Sequence, residues 1–433
     1  MAIFDALKVF RSPSSGQLKI DMKNVTDINL RHLRAFIAVA ETGGVSQAAK
    51  SIYRAQSAIS RSIQELETAL GVELFERKAS GMLPTAFGQA LLYRAHRAAN
   101  EFKLARDGMA SRIRKAGGTL NAPVFDLLVN RDRLQIFVAL AKSNHMQTVA
   151  NLLGITQPAV SAAITELEAS LGIPLFLRTA KGLMLNETGE ILVLRTKRAL
   201  AELRHVEADI AALHGKTQGH VTVGAHPLSR TVILPRAIGR VLASHPHVRI
   251  STVEAGTEGL AAGLRAGDLD FVLGTLRPSH VAPDMIDLPL MTDKMSVFVR
   301  TGHPLTRLPK VTLDDLMRAE WILPAQLTPT RKLFDLAFTN MSGSLPNSPI
   351  ETGDLGILRG LLLTTDLITA ISPQQLDLEQ RLGILQMLDF EFEKSGRVIV
   401  LTQRAKSRPS PGAAALMAAI QQVVSEMEGA SAL

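Results

Sequence analysis

Between Leu33 and Gly88 the chain carries a pattern that returns without a gap between Leu134 and Gly189, 101 positions later. The pairs Leu33/Leu134, Phe36/Phe137, Ala40/Ala141, Ala49/Ala150, Gln56/Gln157, Ser60/Ser161 and Ile63/Ile164 are identical. So are Glu65-Leu66-Glu67 with Glu166-Leu167-Glu168, Leu70-Gly71 with Leu171-Gly172, Leu74-Phe75 with Leu175-Phe176, Arg77 with Arg178, Gly81 with Gly182, and Gly88 with Gly189. Chance does not keep such a register. Whatever one stretch folds into, the other must fold into as well.

The second copy states its local structure most clearly. Arg133 to Lys142 reads as a short helix, with Leu134, Phe137, Val138 and Ala141 on one face. Gln147 to Leu153 reads as a second. Gly154 then suits a left-handed turn, and Ile155 is expected to plug the corner. Thr156 is a good N-cap for a third helix, and Pro158 falls in its first turn, where a missing N–H costs nothing. That helix is expected to run to about Ser170, with Ala159, Val160, Ile164, Leu167 and Leu171 buried. Gln157, Ser161, Ala162 and Thr165 are left facing outward. Helix, tight turn and helix with short polar residues outward is the helix-turn-helix pattern. Glutamine pairs bidentately with adenine, and short side chains permit close approach to base edges. A generic three-helix bundle is the alternative at this level.

A longer motif narrows the choice. Thr156-Gln157-Pro158-Ala159-Val160-Ser161, then Ile164, Glu166-Leu167-Glu168, Leu171-Gly172, Leu175-Phe176 and Arg178 resemble the N-terminal domain of LysR-type transcriptional regulators. The first copy carries the same signature in Gln56-Ser57-Ala58-Ile59-Ser60-Arg61, Ile63, Glu65-Leu66-Glu67, Leu70-Gly71 and Leu74-Phe75-Glu76-Arg77. The resemblance implies that the third helix of each copy enters the major groove. It also implies a wing beside the phosphates, with Arg77 and Arg178 at the wing arginine position. A salt bridge to the wing backbone is the structural alternative for each. Members normally carry one such module, so two copies are the main departure.

The copies differ at the turn. Arg54 stands where the second copy has Ile155, and Ala55 replaces the cap Thr156, a loss of about 1 kcal/mol of local helix stability. Copy one keeps Arg61 opposite Ala162, and Ser46 is expected to cap its second helix where copy two has Gln147. Residues 27–130 carry 14 basic and 9 acidic residues, and residues 131–220 carry 10 and 8. Phosphate attraction therefore favours copy one and turn geometry favours copy two. Both are expected to contact double-stranded DNA, through Arg54, Gln56, Ser57, Ser60, Arg61 and Arg77 in the first and Thr156, Gln157, Pro158, Ser161, Thr165 and Arg178 in the second.

Each module is followed by a long helical run. Leu192, Thr196, Ala199, Leu203, Val206, Ile210 and Leu213 alternate spacings of four and three, a heptad seam. Leu91, Ala95, Ala98, Phe102, Ala105 and Met109 follow the same rule. The resemblance assigns this helix to dimerisation, through Leu192, Ala199, Leu203, Val206 and Ile210. A plain amphipathic core helix is the alternative. Lys115 to Asn130, with Gly117-Gly118 and Pro123, reads as a connector, and Gly215 to Gly219 as a hinge.

From His220 strands and helices alternate, which predicts a mostly parallel sheet with helices on both faces. Val221–Gly224, Val248–Val253 and Leu269–Leu273 read as strands, with helices at Leu234–Ser244 and Leu260–Ala266. A second run follows Leu288–Val299. It has strands at Trp321–Leu323, Leu367–Ile371 and Gly396–Thr402, and helices at Arg331–Thr339, Leu355–Leu363 and Gly412–Met427. Gly267-Asp268-Leu269-Asp270, Gly302-His303-Pro304-Leu305 and Leu234-Pro235 extend the resemblance, which then spans about Asp27 to Val424. It implies an effector domain akin to periplasmic binding proteins, with two lobes joined by crossing strands near 290–299 and 390–400. The expected class is therefore α/β overall, with two all-α winged helix-turn-helix modules and their linker helices ahead of a two-lobed α/β effector domain. The expected boundaries are an extension at 1–26, modules at 27–88 and 131–189, linkers at 89–130 and 190–218, lobe I at 219–291 with 395–433, and lobe II at 292–394.

In open α/β folds ligands bind beyond the carboxyl ends of the strands. Segments 226–230, 256–258, 324–330 and 371–373 are expected to share one interlobe cleft. The resemblance places the effector near Leu228, Ser229 and Thr257, and strand ends add Thr328 and Ile371. Ser229 and Thr257 read equally well as helix caps. Leu228 stands where many members have a hydroxyl residue, which argues against acid recognition there. A small organic metabolite is expected, and its identity is not readable.

Charge is concentrated at the front. Residues 1–220 hold 28 basic and 19 acidic residues, and the remainder 20 and 21. This fits a nucleic-acid-binding head with a separate sensor. The chain has no Cys, which removes disulfides and thiolate metal sites and fits a reducing, cytoplasmic setting. Aromatic residues make up 4%, too few for a stacking-based single-strand binder. Neither a signal peptide nor a membrane span is expected, since the apolar stretch 355–371 is broken by Arg359 and Asp366. No phosphate-cradling loop, HExxH or Gly-x-Ser-x-Gly occurs, so no enzyme, metal or cofactor is expected. The expectation is a transcription regulator, forming a homodimer or homotetramer and acting with RNA polymerase. The alternative is a small-molecule-binding protein whose helical modules serve oligomerisation only. Unchanged substrate on incubation with purified protein would dispose of a third reading, an enzyme.

Overall fold

The computed structural model describes residues 28–78, 81–180, 182–275, 283–326, 328–393 and 395–431. The expected extension at 1–26 lies outside the described residues. The first module consists of α1 (Leu30–Thr42), α2 (Val45–Ser51), α3 (Gln56–Leu70) and a hairpin of β1 (Phe75–Lys78) and β2 (Gly81–Pro84). The second repeats it with α5 (Arg131–Ser143), α6 (Met146–Leu153), α7 (Gln157–Leu171), β3 (Phe176–Thr179) and β4 (Gly182–Leu185).

The duplicated residues hold the hairpin to the helices. Leu66 and Leu167 are buried. The carboxylate of Glu67 accepts the Leu74 amide at 2.8 Å, and that of Glu168 accepts the Leu175 amide at 2.6 Å. Phe36 meets Phe75 at 5.2 Å between ring centroids, and Phe137 meets Phe176 at 5.8 Å. A Cβ on Gly88 would stand 2.1 Å from the Leu74 carbonyl oxygen, and one on Gly189 2.4 Å from that of Leu175. Only glycine lets the following helix pass so close.

The linker helices decide the architecture. α4 (Ala86–Lys115) runs beside α8 (Glu187–Arg204) and α9 (Val206–Leu213) of the same chain. Arg112 pairs with Glu187, Glu101 with Arg195 at 2.9 Å, and Arg94 with Glu202 at 2.8 Å, so the helices are antiparallel. Leu91, Ala95, Ala98, Phe102, Ala105 and Met109 are fully buried, as are Leu192, Thr196 and Ala199, with Leu203, Val206 and Ile210 nearly so. They belong to one apolar core that runs from Ile28 to Ile210 through both modules, save Thr196, which lies within that buried row. The expected intermolecular seam of Leu192, Ala199, Leu203, Val206 and Ile210 is therefore corrected. Its partner is the first linker helix of the same chain, supplied by the duplication. Leu213, the last heptad position, is exposed instead.

The 101-residue offset converts Arg94–Glu202 into Arg195–Glu101, so the two ion pairs are mates across a local pseudo-two-fold. The first is buried and enlarged. Arg94 Nε lies 2.7 Å from Asp209, and Arg94 Nη1 also donates to the Arg408 carbonyl at 3.0 Å. Burial opposes the charge on Arg94, but hydrogen bonds to Asp209 and Glu202 outweigh it and raise its pKa. Burial likewise opposes the Glu202 carboxylate, and its bonds to Arg94 and Arg97 hold its pKa below the ordinary range. The stretch 115–130 is not a loose connector either. Ala122, Val124, Phe125, Leu127 and Val129 are buried in the shared core.

The rear half forms two five-stranded sheets. Lobe I contains β5 (Gly219–Ala225), α10 (Ile233–Ser244), β6 (Val248–Val253), α11 (Thr257–Ala266), β7 (Phe271–Thr275), β8 (Met285–Asp293), β14 (Arg397–Arg404) and α16 (Pro411–Ser431), with strand order β6-β5-β7-β14-β8. Lobe II contains β9 (Ser296–Arg300), α12 (Leu313–Arg318), β10 (Trp321–Leu323), α13 (Pro329–Ser342), β11 (Ile350–Glu351), α14 (Leu355–Thr364), β12 (Ile368–Ile371), α15 (Asp377–Arg381) and β13 (Leu385–Met387), in order β11-β10-β12-β9-β13. Each sheet is mixed rather than mostly parallel. β5, β6 and β7 run parallel, whereas β14 and β8 pair antiparallel. β8 leaves lobe I and β14 returns to it, so the two run in opposite senses beside each other. Among the described residues no helix is long and apolar enough to cross a membrane.

Lobe I is fastened to the rod of linker helices by polar bonds. Arg204 donates to the Gly267 carbonyl at 2.6 Å, Lys197 pairs with Asp268, and His205 lies 3.3 Å from Asp270. Asp270 also accepts the Thr222 amide at 2.7 Å. Burial would raise its pKa, but His205 and that amide hold it below the ordinary carboxylate range. The Gly267–Asp270 segment is thus one place where the effector domain docks on the DNA-binding half.

Removing Arg94 leaves Glu202 and Asp209 as buried carboxylates without their principal partner. Arg94→Ala is expected to lower unfolding free energy by about 3–5 kcal/mol. Equilibrium denaturation followed by circular dichroism checks this, and a loss below about 1 kcal/mol would show the cluster to be effectively solvated.

Candidate nucleic-acid interface and effector cleft

In the second module the turn before α7 forms as its residues dictate. Gly154 has φ +66°, and the Thr156 hydroxyl accepts the Ala159 amide at 3.3 Å. Two expectations fail here. Ile155 is 37% exposed rather than plugging the corner. Ala159 is exposed too, because the first turn of α7 projects beyond the module and leaves Val160 as its first buried residue. In α5, Ile136 and Leu140 are buried with Leu134 and Phe137, whereas Val138 and Ala141 are half-buried.

The first module reaches the same shape against its sequence. The position matching Gly154 is Tyr53, whose φ is +55° and whose side chain is 93% exposed. The left-handed region costs a non-glycine residue roughly 1–2 kcal/mol. Ala55 offers no cap. Ser46 does not cap α2 as expected. The cap position is Gly44, without a side-chain bond, and the Ser46 hydroxyl instead accepts Gln56 Nε2 at 3.1 Å. That bond ties α3 to α2 where the missing cap would have held it.

The candidate reading faces are open. Arg54, Gln56, Ser57 and Ser60 are exposed, as are Thr156, Gln157, Pro158 and Thr165, and Ser161 is half-buried. Arg61 is 79% exposed and pairs with Glu65 at 2.8 Å, an exposed pair that water screens. Arg77 and Arg178 lie exposed on β1 and β3 at matching places in the hairpins. Among the described residues neither makes an ion pair. Arg31, Arg34 and Arg54 line one groove with Ala58 and Ser62 of α3. The corresponding residues of the second module are Asp132, Gln135 and Ile155. Arg31, Arg34 and Tyr53 escaped the motif reading. Aligning the copies position by position is the signal that finds them.

The effector residues are placed less as expected. Ser229 is fully buried, and its hydroxyl donates to the His226 and Leu273 carbonyls at 2.9 and 3.2 Å. Its proton is taken by backbone acceptors of lobe I itself. Leu228 belongs to the core of lobe I and Ile371 to that of lobe II under α14. Thr257 opens α11 after the N-cap Gly256 and lines a small cavity with His226, Thr275 and Thr402, all of lobe I. Thr328 caps α13, accepting the Arg331 amide at 3.2 Å. The structure does bring the turn Pro227–Ser229 against the turn Pro373–Leu376, with Thr231 donating to the Gln374 carbonyl at 2.8 Å.

A polar cluster marks the seam between the lobes. Asp293, 4% exposed, accepts Ser372 at 2.6 Å and Arg397 Nε at 2.9 Å, while Arg397 Nη1 donates to Thr330 at 3.0 Å. Arg397 Nη2 and Gln374 Oε1 are buried and, among the described residues, have no hydrogen-bond partner. Neither residue stands out by spacing, because each belongs to a different segment from its partners. Among the described residues no group of three His, Asp or Glu is placed to hold a metal.

Two family models match this chain. One, described as a bacterial regulatory helix-turn-helix protein of the lysR family, matches twice, at residues 30–89 and 131–190. The other, the LysR substrate binding domain, matches residues 214–425. The chain is 44% identical over 398 residues to the HTH-type transcriptional regulator GalR of Pseudomonas putida, covering 92% of this chain and 98% of that protein. It is 29% identical over 299 residues to the HTH-type transcriptional regulator PcaQ of Agrobacterium fabrum, covering 68% of this chain and 94% of that one. Among solved structures it is similar to full-length OxyR from Pseudomonas aeruginosa, with TM-score 0.52 and 20% identity over 68% of this chain and 94% of that. It is also similar to CbnR, a LysR family transcriptional regulator, with TM-score 0.50 and 18% identity over 68% and 99%.

Replacing the strained tyrosine tests the turn. Tyr53→Gly is expected to stabilise the first module by about 1 kcal/mol, the left-handed cost removed less the extra freedom of glycine in the unfolded chain. A thermal melt that shows no gain would place the strain elsewhere.

Proposed function

The chain belongs to the LysR family of helix-turn-helix transcription regulators, and on that premise we propose that both of its modules bind operator DNA. The observation that carries this is the pair of open faces on α3 and α7, each beside a hairpin with an exposed arginine. Gln56, Ser57, Ser60 and Arg61 read bases in one major-groove segment, and Gln157, Ser161 and Thr165 in another. Arg54, Arg77 and Arg178 meet phosphates, while Thr156 and Pro158 set the start of α7. Since the heptad seam is filled inside the chain, the reading in which the modules serve only oligomerisation loses its interface. Self-association into a dimer or tetramer uses other surfaces. The chain acts in the cytoplasm as a regulator without a catalytic step of its own.

The effector sits at the seam between the lobes. A small molecule there gives an acceptor to Arg397 Nη2 and a donor to Gln374 Oε1, two of the buried polar atoms left without a hydrogen-bond partner among the described residues. Its binding changes how Pro227–Ser229 and Pro373–Leu376 pack. Lobe I is fastened to α8 by Arg204, Lys197 and His205, so the change passes to the rod and to the heads.

Two measurements check these readings. Binding of the full-length protein to its operator is expected to fall steeply with salt, and both Arg61→Ala and Gln157→Ala should weaken it about tenfold or more. Operator affinity untouched by either substitution would remove that module from the interface. For the effector, a thermal-shift screen against small aromatic and sugar acids is expected to yield a stabilising compound whose effect is lost in Gln374→Met. An undiminished response in that variant would move the site away from the seam.

A further inference from the structure

We propose that a single chain is a complete two-headed DNA-reading unit, and that it reads a non-palindromic site whose halves are recognised by chemically different heads. This rests on the reading that both modules contact DNA.

The first support is the linker pairing. In a two-fold dimer an arginine of one helix meets a glutamate of its mate, and symmetry repeats the contact. Here Arg94–Glu202 and Arg195–Glu101 are that repeat, made within one chain. Arg97 and Arg198 occupy equivalent positions beside Glu202 and Glu101 respectively. The apolar seam is equally complete, with Phe102 answering Leu203 and Met109 answering Ile210. The antiparallel sense puts the first module at one end of the rod and the second at the other. The 30 residues of α4 make it about 45 Å long, on the order of the roughly 34–36 Å between half-sites one helical turn apart.

The second support is that the heads are not copies at the atoms that would read DNA. Operator palindromy mirrors identical recognition helices related by a two-fold. The face of α3 offers Gln56, Ser57, Ser60 and Arg61, and that of α7 offers Gln157, Pro158, Ser161 and Ala162. Arginine takes guanine O6 and N7 bidentately, while alanine can only meet a thymine methyl. The flank of α3 adds Arg31, Arg34 and Arg54, where the second module has Asp132, Gln135 and Ile155. One head is built for strong phosphate contact and guanine. The other is built for a cleaner turn and an A·T-rich half.

The test uses the full-length protein and duplexes selected by it from a randomised pool. The selected site is expected to consist of two unlike halves, with guanine specified in only one. Arg61→Ala should relax base preference about tenfold to hundredfold in the guanine-bearing half alone, and Gln157→Ala in the other half alone. A palindromic site, or substitutions that each alter both halves equally, would overturn the proposal. Those results would mean that like heads from two chains are paired. Absence of any selected site for the unsubstituted protein would defeat the DNA-binding reading itself, and this inference with it.

Discussion

The antiparallel pairing of α4 with α8 and α9 carries the front half of this molecule. Each of these helices presents a row of apolar residues, and burial of both rows is what joins the two modules through one core. At the centre of the rod Arg94 lies between Glu202 and Asp209, taken out of water on all sides. A buried ionic cluster adds little net stability over an apolar core. Its use here is to fix register, since sliding one helix by a turn would leave three charges without partners.

The same rod links the sensor to the heads. Arg204, Lys197 and His205 of the rod hold the Gly267–Asp270 segment, and Arg94 and Arg97 reach the carbonyls of Arg408 and Lys406 ahead of α16. The guanidinium of Arg408 lies over the Tyr93 ring, 5.4 Å from its centroid. Lobe I is therefore fastened to the rod, and β8 and β14 cross from it to lobe II beside the Asp293–Arg397 pair.

Duplication freed the two heads to diverge. The second keeps the glycine and the threonine cap that make its turn easy to form. The first holds the same turn with Tyr53 in a left-handed conformation and no cap, stabilised instead by the Gln56–Ser46 bond and the shared core. In exchange it carries the arginines. Stability and charge have been distributed between modules that remain bound to one rod.

Sequence alone determined the duplication, the helix-turn-helix units, Gly154 and Thr156 at the second turn, and the two-lobed α/β effector domain. Each of these rests on local spacing or on a long ordered motif. The apolar periodicity of 192–210 likewise determined that one face would be buried. Only the tertiary structure decided that the partner was α4, because hydrophobic burial has no direction and a heptad row is satisfied equally by another chain or by its own. The effector residues show the same limit. Ser229 reads as an available hydroxyl until two carbonyls 44 and 3 residues away are seen to take it. Ile371 reads as a strand end until α14 is seen to cover it. Arg397 and Gln374 acquire their meaning only when β14, β8 and the turn after β12 converge, since a buried polar atom is defined by what surrounds it and not by its neighbours in the chain.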